Sequence, residues 1–303
     1  MPTQAQASIA TATTTRRYGG HSMSAPLRSV LVRPPVPPAG DADWRAFGYL
    51  QPVDQTQAEA EHAAFRAILA DARVEVVADR SDPNETGLLD SIFAYDPSII
   101  TDAGAILCRP GKALRQPEVA LAEATYARLG IPIHGRVVAP GTLEGGDTLW
   151  LDARTLAVGR GYRTNDAGIA QLAALLAPLG VEVIPVALPH WRGPGECLHL
   201  MSLISPVASD LAVVYLPLLP TSFVELLQAR GWRFVEVPDA EFDSMGCNVL
   251  ALAPGKCLVL DGNPLTRARL EAAGCEVLAY TGNKISLNRA GGPTCLTRPL
   301  WRA

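Results

Sequence analysis

A cysteine, a histidine and a glutamate stand in three short stretches of this chain: Cys295 in "GGPTCLT", His199 in "CLHLMS" and Glu144 in "TLEGGDTLW". Their types match a nucleophile, a proton shuttle and an orienting carboxylate. Each also has a plainer alternative. Free cysteine packs as a small hydrophobe. A histidine in an apolar run can be a core residue with one polar partner, and E-G-G-D can be a tight turn with solvated acids. A thiol of ordinary pKa, about 8.5, needs a neighbouring imidazolium or a bound cation to ionise near neutrality.

Charges elsewhere suggest what such a thiol would meet. "LLDSIFAYDP" carries Asp90 and Asp96 among Ile and Phe residues, where unpaired carboxylates are costly and a cation would compensate them. Arg115 in "GKALRQPE" and Arg163 in "GYRTND" supply two cations. A ligand cationic at one end and carboxylate at the other would use all four, which describes arginine and its relatives.

For residues scattered from Asp90 to Cys295 to meet, the chain must fold back repeatedly to one place. Five times a β-rich run ends in a turn: "SVLVRPP", "AILCRPG", "TLAVGRG", "LAVVYLP" and "KCLVLDG". Each is followed by helical apolar spacing and a second strand, and in four of the five a glycine marks the helix end. The loop after each second strand carries the suggestive residues: Asp90 and Asp96, Glu144, His199, Cys247 with Asn248, and Cys295. Five equivalent units closing around a pseudo-fivefold axis would bring those loops together. The expected fold is thus α/β, a single closed five-bladed α/β propeller. An ordinary doubly wound sheet shows similar alternation, but no G-x-G-x-x-G or G-x-x-x-x-G-K-[ST] follows any strand.

Composition narrows the classes. With 303 residues, 48% hydrophobic and 18% charged, the chain can bury a large core. A net charge of −4 argues against nucleic acid or an anionic membrane as partner. No apolar stretch approaches the roughly twenty residues of a spanning helix. The six cysteines show no C-x-x-C, giving a zinc site little support, and read as reduced thiols of a cytoplasmic protein. The opening Ala/Thr-rich stretch has an Arg pair before Tyr18 without a following apolar run. Residues 1–23 are read as a flexible tail and 24–303 as the catalytic domain.

The five-unit pattern together with "LEGGD", "LHLMS", "RTN" and "GGPTCLT" resembles the guanidine-modifying superfamily, or penteins, and within it the dimethylarginine dimethylaminohydrolases. The likeness runs from about Ser24 to Trp301. It implies Cys295 as nucleophile, His199 as general acid/base and Glu144 as the partner of the imidazole. It further implies that Asp96 holds the guanidinium, Asp90 contacts the amino-acid end, and Arg115 and Arg163 bind the carboxylate. Two positions depart from the pattern. Tyr95 stands where the family often has an acid, and Met201 stands where arginine deiminases carry an Asp, which argues against plain arginine deimination.

The chemistry so implied is attack by Cys295 on the guanidinium carbon, departure of an amine protonated by His199, and hydrolysis of the thiouronium to citrulline, with no cofactor or metal. The partner expected is a small-molecule guanidine, and a homodimer is among the assemblies left open. Amidino transfer to an amine, deimination, or simple binding of an arginine-like ligand are the rival readings. "PPVPPAGDADWRAFGYLQP", residues 34–52, is long for a connector and is expected to act as a lid.

Overall fold

The computed structural model describes residues 17–39, 44–79 and 87–303. The chain begins with β1 (Leu27–Val32), α1 (Gln55–Asp71) and β2 (Glu75–Ala78), followed by β3 (Ser98–Thr101), β4 (Gly104–Leu107), α2 (Glu118–Leu129) and β5 (Ile133–Arg136). Next come β6 (Thr148–Asp152), β7 (Thr155–Arg160), α3 (Asp166–Leu176) and β8 (Glu182–Ala187). Then follow β9 (Ile204–Pro206), β10 (Leu211–Val214), α4 (Thr221–Ala229), β11 (Arg233–Glu236) and the short α5 (Asp239–Phe242). The last elements are β12 (Leu250–Ala253), β13 (Lys256–Leu260), α6 (Pro264–Ala272), β14 (Glu276–Tyr280) and β15 (Arg298–Arg302).

These strands form five three-stranded sheets, ordered β15-β1-β2, β3-β4-β5, β6-β7-β8, β9-β10-β11 and β12-β13-β14. Each middle strand runs antiparallel to its inner neighbour and parallel to its outer one. A parallel pair needs a crossover, supplied here by α1, α2, α3, α4 and α6. The expected five-bladed α/β ring is the architecture found. Middle strands such as β4 and β10 are buried throughout, whereas outer strands such as β2 are partly exposed. Continuous apolar runs are what strands covered on both faces require.

The core is divided among five apolar clusters, one at each junction between neighbouring blades. In one of them Phe65 and Leu69 of α1 pack with Val30 and Val32 of β1 and with Leu258 and Leu260 of β13, joining the first blade to the last. Four helical segments stop at left-handed glycines, Gly130, Gly180, Gly231 and Gly274, with φ between +68° and +90°. Open space surrounds each, so backbone conformation rather than crowding selects glycine there. The fifth stop, after α1, is Arg73 at φ +63°.

Closure of the ring falls to β15, which pairs antiparallel with β1 in a register that sets Val30 opposite Pro299 and Leu31 opposite Arg298. The same pairing corrects the expected tail. Residues 1–16 lie outside the described residues, but 17–23 are docked. Gly19 N–H donates to Leu300 O at 2.8 Å, Arg302 N–H donates to Gly19 O at 3.0 Å, and His21 stacks on Trp150. The segment adds to the exposed edge of β15, so its order comes from backbone pairing and needs no apolar run. Among the described residues no helix is long and apolar enough to cross a membrane.

Candidate active site

Each inner strand is preceded by a loop, and the five loops meet at one end of the ring axis. They border a cleft lined by Asp96, Gly146, His199, Asn248 and Cys295, with Tyr95 and Met201 among its other walls. One loop per blade contributes, as the recurrent phase of the sequence requires.

Cys295 lies three residues before β15 in a turn where Leu296 N–H donates to Gly292 O at 3.1 Å. Its Sγ accepts from Asn248 Nδ2 at 3.2 Å, and the same amide's Oδ1 accepts from Thr294 N–H at 3.0 Å. Asn248 therefore grips both the thiol and the turn that carries it. Burial, with the nearby Asp96 carboxylate, pushes the Cys295 thiol up to about 11, against the opposing pull of His199. At rest it is a thiol.

His199 heads a short 3-10 turn, Leu200–Ser202, and its backbone N–H donates to Ser202 Oγ at 3.1 Å. Its Nε2 lies 2.7 Å from Glu144 Oε2, while Nδ1 sits 3.8 Å from Asp96 Oδ1 and 3.6 Å from Cys197 Sγ. Burial lowers the imidazole's proton affinity, but Cys197, Asp96 and Asp147 outweigh it and hold His199 well above its ordinary range. Glu144 is fully buried; burial alone would raise its pKa, yet the hydrogen bond and charge of His199, with Arg163, hold it low. The pair is an imidazolium and a carboxylate.

The "EGGD" turn serves the cleft at every position. Glu144 faces His199, and Gly146 N–H donates to Asp96 Oδ1 at 2.8 Å. A Cβ at Gly146 would collide with the His199 ring and the Asp96 carboxylate, so only glycine permits this approach. Asp147 turns inward to accept from Thr164 Oγ1 at 2.6 Å and Leu200 N–H at 3.0 Å, tying the Glu144 turn to the His199 turn. Burial pushes its carboxyl up to about 6.

The cations are deployed differently from expectation. Arg115 is buried with every guanidinium nitrogen engaged: it bonds Asp96, Glu118 at 2.7 Å, and the carbonyls of Phe93 and Asp90 at 2.9 and 3.3 Å. It props Asp96. Arg163 donates Nη1 to Glu144 at 3.2 Å, and its other nitrogens make no hydrogen bond to the described residues. Asp90 is fully buried and held by Lys112 Nζ at 2.6 Å and Arg289 Nε at 3.0 Å. Burial would raise its pKa, but Arg289, Arg115 and Lys112 together lower it.

Four contributors escaped the sequence reading: Asn248's grip on sulfur, Lys112, Arg289 and Cys197. For Cys197 there was a signal, since residues two apart on extended chain share a face and His199 was already singled out. Its thiol is raised by burial but lowered overall by His199 and Arg163. Ligand atoms of Glu144, Cys197 and His199 lie within 4.8 Å of one another.

The arginine deiminase family model matches residues 87–222 and 216–302. The N(G),N(G)-dimethylarginine dimethylaminohydrolase of Streptomyces coelicolor is 34% identical over 211 residues, covering 69% of this chain and 73% of that protein. The arginine deiminase of Listeria welshimeri is 27% identical over 253 residues, covering 69% of this chain and 61% of that one. Among solved structures, SxtG, an amidinotransferase from Microseira wollei, superposes with a TM-score of 0.76 at 16% identity, covering 94% of this chain and 97% of its own, a likeness of fold. On these grounds the chain belongs to the arginine deiminase family, built on the pentein fold.

Proposed function

We propose that the protein hydrolyses the guanidinium of an arginine derivative, with a methylated arginine as preferred substrate, to citrulline and an alkylamine. The observation that carries this reading is the meeting of Cys295, His199 and Asp96 on one cleft with Glu144 behind the imidazole.

A guanidinium is resonance-stabilised and must be held cationic to react at all. Asp96, braced by Gly146 N–H and Arg115, offers the anion. The arriving charge stands beside Cys295 and lowers the cost of ionising a thiol that burial keeps protonated, its proton passing to solvent. The thiolate attacks the central carbon. His199 already binds a proton, and with Nε2 on Glu144 its Nδ1 is the nitrogen that hands a proton to the leaving amine. Water then attacks the thiouronium, Nδ1 takes one of its protons, and the C–S bond breaks as the second proton returns to the departing sulfur and the ureido carbonyl forms.

Arg115 is spent on Asp96, which assigns it to positioning. The substrate carboxylate is left to Arg163, Lys112 and Arg289; the last two place two cations against the single carboxylate of Asp90. The lid reading has support outside residues 40–43, which are not among the described residues. Lys112 Nζ donates to Phe47 O at 2.7 Å, Tyr49 Oη donates to Leu89 O at 2.9 Å, and Gln51 N–H donates to Asn288 Oδ1 at 2.7 Å. Those contacts fix the segment beside Asp90.

Deimination of arginine is the second reading, favoured by the family model and opposed by Met201 in the cleft. A panel of arginine and N-methylated arginines, with ureido product and released amine measured separately and with or without an added amine acceptor, decides among them. Alkylamine plus citrulline is the expected outcome. Ammonia from arginine alone would favour the deiminase, and an amidino product on the acceptor would make the protein a transferase.

A further inference from the structure

The ring axis carries a second cavity beyond the active-site cleft. It is lined by residues of all five inner strands, among them Ile100 of β3, Trp150 of β6, Pro206 of β9, Ala251 of β12, and Arg298 and Arg302 of β15. Tyr95, Met201 and Thr294 line both cavities and so form the wall between them.

The two arginines are the anomaly. Both are more than nine-tenths buried. Arg302 donates to two backbone carbonyls, Ala25 O at 2.6 Å and Ala251 O at 2.9 Å. Arg298 donates to Tyr95 O, lies over the Tyr95 ring with its guanidinium carbon 3.6 Å from the centroid, and leaves a buried Nε with no partner. Among the described residues no carboxylate lies within 4.0 Å of either guanidinium, whereas at the other end Arg115 has two and Arg163 has one. Burial pulls Arg302 down only to about 10, so it remains a cation at neutral pH. Two buried positive charges without an anion are costly, and a buried guanidinium nitrogen left without an acceptor adds to that cost.

We infer that this axial cavity binds a small organic carboxylate, its anionic end on Arg298 and Arg302 and its apolar body against Trp150 and the neighbouring aliphatic side chains. The lining fits that division, being charged at β15 and apolar at Ile99, Leu250 and Met23. Guanidinium groups match carboxylate oxygens in geometry as well as charge. The inference does not depend on the proposed reaction.

The probe is isobutyrate, with isobutyramide as its uncharged match, titrated into the full-length protein by calorimetry and thermal denaturation. Isobutyrate is expected to bind saturably and raise the Tm while the amide does neither, and Arg302→Met should weaken the dissociation constant roughly tenfold or more. Lys112→Ala should leave the response intact, separating this site from the mouth of the cleft. Should Arg302→Met fail to fold, Ser22→Asp decides: it keeps a turn-capping oxygen at a lining position and adds a carboxylate, so it should abolish the response. Bromide soaked into crystals should give an anomalous peak between the two guanidinium groups. Equal responses to acid and amide, an unchanged response in Arg302→Met or in a folded Ser22→Asp, loss of the response in Lys112→Ala, or bromide found only elsewhere would overturn the assignment.

Discussion

Cys247 and Cys295 occupy the same station in successive blades, each three residues before an inner strand, yet they have different surroundings. Cys247 is sealed in the apolar junction between the last two blades, its sulfur donating to Val213 O at 3.8 Å, and burial drives its thiol far above its ordinary value. Cys295 lies on the cleft, bonded by Asn248 and within the field of His199. Position in the repeat brings a thiol to the axis end. What the adjoining loop supplies determines whether it is chemistry or packing.

The contrast would break most visibly under Cys295→Ser, which should lower kcat by about three orders of magnitude or more while a substrate analogue still binds. Cys247→Ser should retain turnover, and a comparable loss there would sink the distinction. Glu144→Gln comes next, expected to lower kcat about 100-fold by removing the carboxylate that aligns the His199 ring and pairs with its charge. If the alkaline-limb pKa of kcat, where the imidazolium loses its proton, stayed where it is in the parent, Glu144 would have no such role.

Asn248→Ala sharpens the comparison, because it removes the hydrogen-bond donor to sulfur that Cys295 has and Cys247 lacks. A fall of about tenfold in kcat with little change in KM is expected, the size of one lost hydrogen bond to a charged sulfur. Alkylation adds a pH test. Without ligand, labelling of Cys295 by iodoacetamide should still be climbing at pH 9, since its thiol ionises near 11. Cys197, lowered by His199 and Arg163, should label at lower pH. A cationic, unreactive guanidine that occludes neither thiol would shift the Cys295 profile downward, and an unshifted profile would argue against activation by the substrate's charge. The smallest effect is Cys247→Ala, about 1 to 2 kcal/mol of stability with activity kept, read from denaturant unfolding.

The fold was legible because its punctuation repeats. Gly130, Gly180, Gly231 and Gly274 stop helices where the sequence places them, and the five apolar runs became middle strands. Arg73 hides the fifth stop, since a left-handed arginine leaves no mark in sequence. Cys295, His199 and Glu144 were legible through their phase. The charge pairing was less so: Arg115 looked available for a ligand, yet Glu118 at i+3 and Asp96 across the loop consume it. Lys112 and Arg289 converge on Asp90 from stretches of chain far apart in sequence, which no local spacing encodes. Residues 17–23 escaped because a strand edge at the opposite terminus orders them.

Because β15 both completes the first sheet and carries the sulfur to the axis, folding and competence are one event. On the proposed reading, a growing chain that has not yet laid this strand beside the first has its imidazole and acids in hand but no nucleophile among them, and would be chemically silent until the circle is made.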